Sequence, residues 1–268
     1  TGFPVAYSAA TTALHIPLTL MLLGIVLRGS AFVFRQYSTY SGDVQRRWGR
    51  VFAVSSTVTP VFLGVALGAV TAGGIRVTDG APRADTFAAA FVEPWLGVFP
   101  FAVGLLVLSL FAFLAAAYLT VETDDEALRD DFRRRALAAE AGVVASAALG
   151  ALTAPASASH FTSALHHAWW SWPLHLSLAS VALAACALLY RRRFRAARPL
   201  AALQTALMVA TWGLGQHPFL VAPDLTIASA AAPPRTLALL LGALAIGALL
   251  LFPSLAWLYR VFKKAERD

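Results

Sequence analysis

Seven long apolar stretches follow one another along this chain, separated by shorter polar gaps: Val5 to Leu27, Val51 to Gly73, Trp95 to Leu119, Ala136 to Ala154, Pro173 to Tyr190, Leu200 to Leu214 and Leu237 to Tyr259. A helix needs about 20 residues to cross a hydrocarbon core of about 30 Å; most of the stretches meet that length and the fifth and sixth are marginal. In lipid only helices and closed barrels satisfy their own backbone hydrogen bonds. These runs are too long and too continuously apolar for the alternating strands of a barrel, so the pattern predicts an all-α membrane protein with about seven transmembrane helices.

The polar gaps alternate in charge. Those after the first, third and fifth stretches carry Arg35, Arg46, Arg47 and Arg50, then Arg129, Arg133, Arg134 and Arg135, then Arg191, Arg192, Arg193, Arg195 and Arg198. The C-terminal tail adds Arg260, Lys263, Lys264 and Arg267, whereas the intervening gaps hold only Arg76, Arg83 and Arg235. Arginine and lysine accumulate on the cytoplasmic side of membrane proteins, which predicts an external N-terminus and a cytoplasmic C-terminus. The aromatic trio Trp169, Trp170 and Trp172 then falls at the outer boundary, as an interfacial belt does.

Hydrophobic residues make up 59% and charged residues 13%, about half the charged share of a soluble domain. The net charge of +7 is split among separate inner-side loops, which excludes nucleic acid as a partner and favours attraction to anionic membrane lipids. The single cysteine, Cys186, leaves no internal disulfide and no multi-cysteine metal site. The chain starts at Thr1 with no basic leader or cleavage site ahead of its first apolar run, which reads as a fragment or trimmed chain and not as a signal peptide.

Local signals refine the helices. Asp125–Arg129, Asp130–Arg134 and Asp131–Arg135 are acid-before-base pairs four residues apart, predicting a solvated helical extension ahead of the fourth span. Kinks are expected at Pro17, Pro60, Pro100 and Pro253. Close helix approach is expected at Gly64, Gly68, Ala116, Gly142, Gly150 and Gly242. Ser229 to Pro234 predicts an external loop before the last span.

Candidate chemistry is sparse. No Asp, Glu or Lys lies near the centre of an apolar stretch, and Glu93 and Glu140 read as helix-end residues. Proton-coupled transport usually leaves such a residue in a span, although Ser55, Ser56, Thr57 and Thr59 offer a polar line. Arg28, at the inner end of the first stretch, and Arg35, a heptad later, share one helix face; they either snorkel to the interface or pair with a carboxylate, a quinone oxygen or a heme propionate elsewhere. His15 reads as a mid-span polar residue. His160, His166, His167, His175 and His217 map to the outer side without the facing pairs that axial heme ligation requires. Two other classes remain open: a secondary transporter or channel, and a self-sufficient membrane b-type cytochrome using His15 with an outer histidine.

The strings ALHIPLTLMLLGIVLRGSAFVFR (Ala13 to Arg35), FLAAAYLTVET (Phe113 to Thr123) and HPFLVAPDLTIASAAAPP (His217 to Pro234) together resemble subunit II of the bacterial cytochrome bd-type quinol oxidases, in order and across essentially the whole chain. The resemblance implies a quinol-oxidising, dioxygen-reducing respiratory oxidase of the inner membrane. In that family the b-type and d-type hemes lie in a partner, subunit I. Subunit II binds none of them, stabilises the heme assembly and can hold a structural quinone, and a small single-span subunit is a further partner. The arginine of the LRGSAFVFR string, Arg28, is associated in the family with assembly of the heme-bearing complex; Arg35 matches its second arginine. The family commonly has an acid at the position of Val33, and an N-terminal stretch ahead of the residues seen here. The resemblance therefore implies two four-helix-bundle-like halves, 1–120 and 121–268, with one helix missing from the first.

Overall fold

The computed structural model describes residues 2–37, 42–78, 81–82 and 85–264. Among them seven helices have 20 residues or more: α2 (His15–Tyr37), α3 (Gly42–Ala72), α5 (Val98–Glu122), α6 (Glu126–Ser157), α8 (Ser171–Tyr190), α9 (Phe194–Gln216) and α11 (Pro234–Lys264). The short helices are α1 (Pro4–Ala13), α4 (Phe87–Phe91), α7 (Ser159–His167) and α10 (Ile227–Ala230). Two small antiparallel hairpins, β1 (Val77–Thr78) with β2 (Ala81–Pro82) and β3 (Phe219–Val221) with β4 (Leu225–Thr226), complete the fold. Chain order makes the long helices alternate in direction, so the ends bearing the arginine clusters gather at one face and the hairpins with α1, α4, α7 and α10 at the other.

By length and composition six helices can cross a membrane: α2, α3, α5, α6, α8 and α11. The sixth expected span, Leu200 to Leu214, lies within the 23-residue α9, which is long enough at about 35 Å. Its apolar character is diluted by Gln204, Thr211 and Gln216, and these are buried inside the protein. The helix packs against α5 and α8.

The first expected span, Val5 to Leu27, is broken in two. Helix α1 ends at Ala13, and Leu14 has left helical geometry at φ −104°, ψ 18°. Ala6, Ala9 and Ala13 bury the small-residue face of α1 against Val65, Ala69, Val221, Leu225 and Ala230. Helix α1 thus belongs to the cap on the hairpin side, and the membrane-length helix runs from His15 instead. Pro17 then stands in the first turn of α2 and Pro100 in the first turn of α5, where no intrahelical bond is lost; only Pro60 and Pro253 of the expected kink sites are interior.

Glycine sets the approach of α3 to α5. A Cβ on Gly64 would stand 2.6 Å from the Val103 carbonyl oxygen, one on Gly68 2.7 Å from Pro100 Cα, and one on Gly104 2.8 Å from the Val61 carbonyl oxygen. Gly142 meets Ser109 on α5 in the same way, whereas Gly150 and Gly242 face open space. A second core joins Phe113, Ala116 and Ala117 of α5 to Ala136 of α6, Ala185 and Leu189 of α8, and Ala197 and Ala201 of α9. Helix α10 and the segment to Pro234 form the loop expected before the last helix.

The acidic pairing ahead of the fourth span differs in one member. Asp130–Arg134 at 3.1 Å and Asp131–Arg135 at 2.7 Å form. Asp125 does not pair with Arg129; it caps α6 by accepting from the backbone N–H groups of Ala127 and Leu128, and Arg129 donates to the Thr123 carbonyl. Capping satisfies two orphan donors at the helix N-terminus, more than an exposed ion pair contributes. Across helices, Arg192 reaches Asp130 at 3.2 Å and Arg198 reaches Glu122 at 2.8 Å, tying the arginine-rich ends of α5, α6, α8 and α9 together. Arg83 and Arg267 lie outside the described residues.

Candidate functional site

Restarting the first membrane helix at His15 moves its charged residues. Arg28 lies past the midpoint of the 23-residue α2 and Arg35 in its last turn, so Arg28 is not at the inner end but about 10 Å deeper than Arg35. Both side chains are exposed on the outer surface of the chain. The guanidinium carbon of Arg28 lies 5.6 Å from the centroid of the Phe52 ring on α3, and no carboxylate among the described residues pairs with it. The surrounding surface is apolar, with Leu22, Ile25, Val26, Phe32 and Val33 about half exposed or more. A guanidinium flanked by apolar helix surface and lacking a counter-charge is costly in a bilayer unless a partner or a headgroup supplies one.

His15 opens α2 and is not mid-span. Its Nδ1 lies 2.9 Å from the Thr12 carbonyl oxygen, and its ring packs edge-on against Phe91 at 5.0 Å. The Nδ1 atoms of His166, His167 and His175 likewise face carbonyls of their own helices, those of Thr162, Ser163 and Ser171. Axial heme ligation needs imidazoles projecting from facing helices. Here α3, α5, α6, α9 and α11 contain no histidine, while α2 and α8 carry theirs in the first or second turn. No group of three or more His, Cys, Asp or Glu that could hold a metal ion occurs among the described residues. The hydroxyls of Ser55, Thr57 and Thr59 donate back to carbonyls of α3 itself, at 2.7 to 3.1 Å.

Glu140 reads in the sequence as a helix-end residue, but α6 begins at Glu126, which places Glu140 near the middle of that helix, five residues past Arg135, where it is 3% exposed. Gln204 of α9, 1% exposed, donates from Nε2 to Glu140 Oε1 at 2.7 Å. The signal in the sequence was one Glu in an alanine-rich run; its partner, 64 residues away, carried none.

At the hairpin face, Asp224 accepts from the Val77 N–H at 2.9 Å and meets Arg76 at 3.6 Å. Trp212 of α9 donates to Thr71 of α3 at 3.0 Å, and His160 packs edge-on against Phe219 at 5.0 Å. Burial pushes the His160 imidazole below the ordinary histidine range. These contacts fasten the cap and converge on no open cleft.

The comparisons with known proteins agree with this arrangement of helices. The structure of bd oxidase from Geobacillus thermodenitrificans contains a chain 25% identical to this one, superposing with a TM-score of 0.71 over 92% of this chain and 73% of that one. No curated protein sequence is similar enough to count as a match. The family described as cytochrome bd terminal oxidase subunit II matches residues 1–262, nearly the full length; with its alternating membrane helices and its arginine-rich face, the chain belongs to that family and is a multi-pass membrane subunit of a quinol oxidase.

Proposed function

We propose that this chain is the non-heme half of the oxidase, stabilising a heme-bearing subunit I that holds the b-type and d-type hemes. The chain itself contributes no catalytic residue, and any quinone it holds is structural. The arginine-rich face is cytoplasmic, the hairpin face is external, and the membrane is the bacterial inner membrane, as the positive-inside distribution supports.

The observation that carries this reading is Arg28. It stands within a membrane helix, exposed, without a carboxylate partner among the described residues and flanked by apolar surface. Such a group calls for an anionic or carbonyl partner from outside the chain, and a docked subunit supplies one together with cover for the apolar side chains. Helix α11 supports the same reading, since none of its apolar stretch is buried within the chain. A small single-span subunit and lipids complete the cover.

The test is to express the chain with and without a subunit I partner and to record reduced-minus-oxidised visible spectra of each purified sample. Heme bands are expected only with the partner. Heme bands from this chain alone would replace the scaffold reading with that of a self-sufficient cytochrome.

A further inference from the structure

Glu140 and Gln204 share one hydrogen bond and leave two oxygen atoms over. Gln204 Nε2 donates to Glu140 Oε1 at 2.7 Å, while Glu140 Oε2 and Gln204 Oε1 are both buried with no donor. Two acceptors left over on the two members of one bonded pair are a proton short. A proton on Glu140 Oε2 makes that oxygen a donor, and donation to Gln204 Oε1 closes an acid–amide ring in which every polar atom facing the partner is satisfied.

The surroundings favour the neutral acid. An isolated carboxylate taken out of water is penalised by several kcal/mol even after relaxation, and nothing near Glu140 offsets this. Its own helix has no other titratable residue from Ala136 to Ser157, α5 has none from Val98 to Ala117, and α9 has none from Pro199 to Gln216. Helix α8 brings only the thiol of Cys186 within range of its charge. The nearest cations along α6 and α9, Arg135 and Arg198, are already engaged by Asp131 and Glu122. Glu140 lies five residues past Arg135, about 7.5 Å along the helix axis, so its shortest route to water is through the arginine-rich face.

We propose that Glu140 is a membrane-buried proton-binding site between α6 and α9, occupied at neutral pH, with Gln204 as its positioning residue. The ligand is a single proton exchanged from the arginine-rich face. The assignment is independent of which subunit carries the hemes.

Infrared difference spectra test it, with the protein purified as assembled in its native membrane. Wild type minus Glu140→Gln is expected to show at pH 7 the C=O stretch of a neutral, hydrogen-bonded carboxylic acid, moving to lower frequency in D2O. Gln204→Leu is expected to shift that band to higher frequency, as loss of the amide partner requires. Carboxylate bands in place of the neutral band at pH 7 would overturn the proposal, and a neutral band unmoved by Gln204→Leu would overturn the role of Gln204. Glu140→Gln keeps an amide–amide pair; should it fail to accumulate, Glu140→Asp takes its place and the same band is expected to shift.

Discussion

Arg28 shows how strongly the meaning of one residue depends on where its helix begins. With the helix starting at His15, Arg28 stands about two turns inside Arg35, and among the described residues its partner is the Phe52 ring. A cation over a phenyl face contributes about 0.5–1 kcal/mol at an exposed site, too little to hold a guanidinium in lipid. Arg28→Ala is therefore expected to lower the yield of the assembled, heme-bearing complex several-fold, with Arg28→Lys intermediate because the ammonium keeps the charge but loses the planar fork. Heme content per mole of this chain measures both. His160 carries a second prediction at this scale. Its folded-state pKa is depressed by burial, so the unfolded chain binds more protons as pH falls through the ordinary value of 6.5, and the folded state loses stability in that direction. The contribution is fully present above about pH 7. Thermal stability is expected to fall from about pH 7.5 to pH 5.5, and His160→Phe, which keeps an aromatic ring against Phe219, is expected to flatten part of that slope.

At the scale of elements, the α3–α5 contact is the most constrained. Gly64, Gly68 and Gly104 meet backbone atoms that cannot swing aside, which is how small residues let membrane helices approach closely. Gly64→Val is expected to destabilise by about 1–3 kcal/mol or to force the helices apart. Gly150→Ala has open space and is expected to be neutral or slightly stabilising, since glycine costs about 0.5–1 kcal/mol relative to alanine inside a helix; thermal denaturation in detergent separates the two. The N-terminus of α6 depends on Asp125, and Asp125→Ala is expected to cost about 1 kcal/mol, visible as faster amide exchange in the first turn of α6 only. Gly64 and Gly68 were legible as packing residues beforehand. Gly104 and Gly24, whose added Cβ would meet the Thr59 hydroxyl, were not, because one glycine in an apolar run looks like any other until a neighbouring helix is placed against it.

Across the whole molecule, the cores are unevenly distributed. The cap core draws on α1, α3 and the β3–β4 hairpin, and a second, helical core draws on α5, α6, α8 and α9. Helix α11 and the Arg28-bearing face of α2 take little part, leaving Leu239, Leu249, Phe252 and Trp257 of α11 at least two-thirds exposed. Lipid covers such surface adequately, whereas the charge of Arg28 needs a polar partner. The chain purified alone is accordingly expected to be polydisperse by size-exclusion chromatography, and co-expression with a subunit I partner to give one sharp species. A monodisperse, stable isolated chain would contradict the scaffold role.

Patterns along the chain are enough to show an all-helical membrane protein, which gaps gather at one face, and which family the chain resembles. Each rests on a quantity summed along the chain: run length against bilayer thickness, charge per gap, or the order of motifs. Packing between distant elements sets where the first membrane helix starts, because Leu14 reads as one more apolar residue until α1 has the cap to pack on. It alone decided that α9 turns its polar residues inward, that Asp125 is a cap and not an ion-pair partner, and that Glu140 meets Gln204. These depend on which residue from a distant helix arrives at a given height, and hydrophobic periodicity within a single helix carries no record of that.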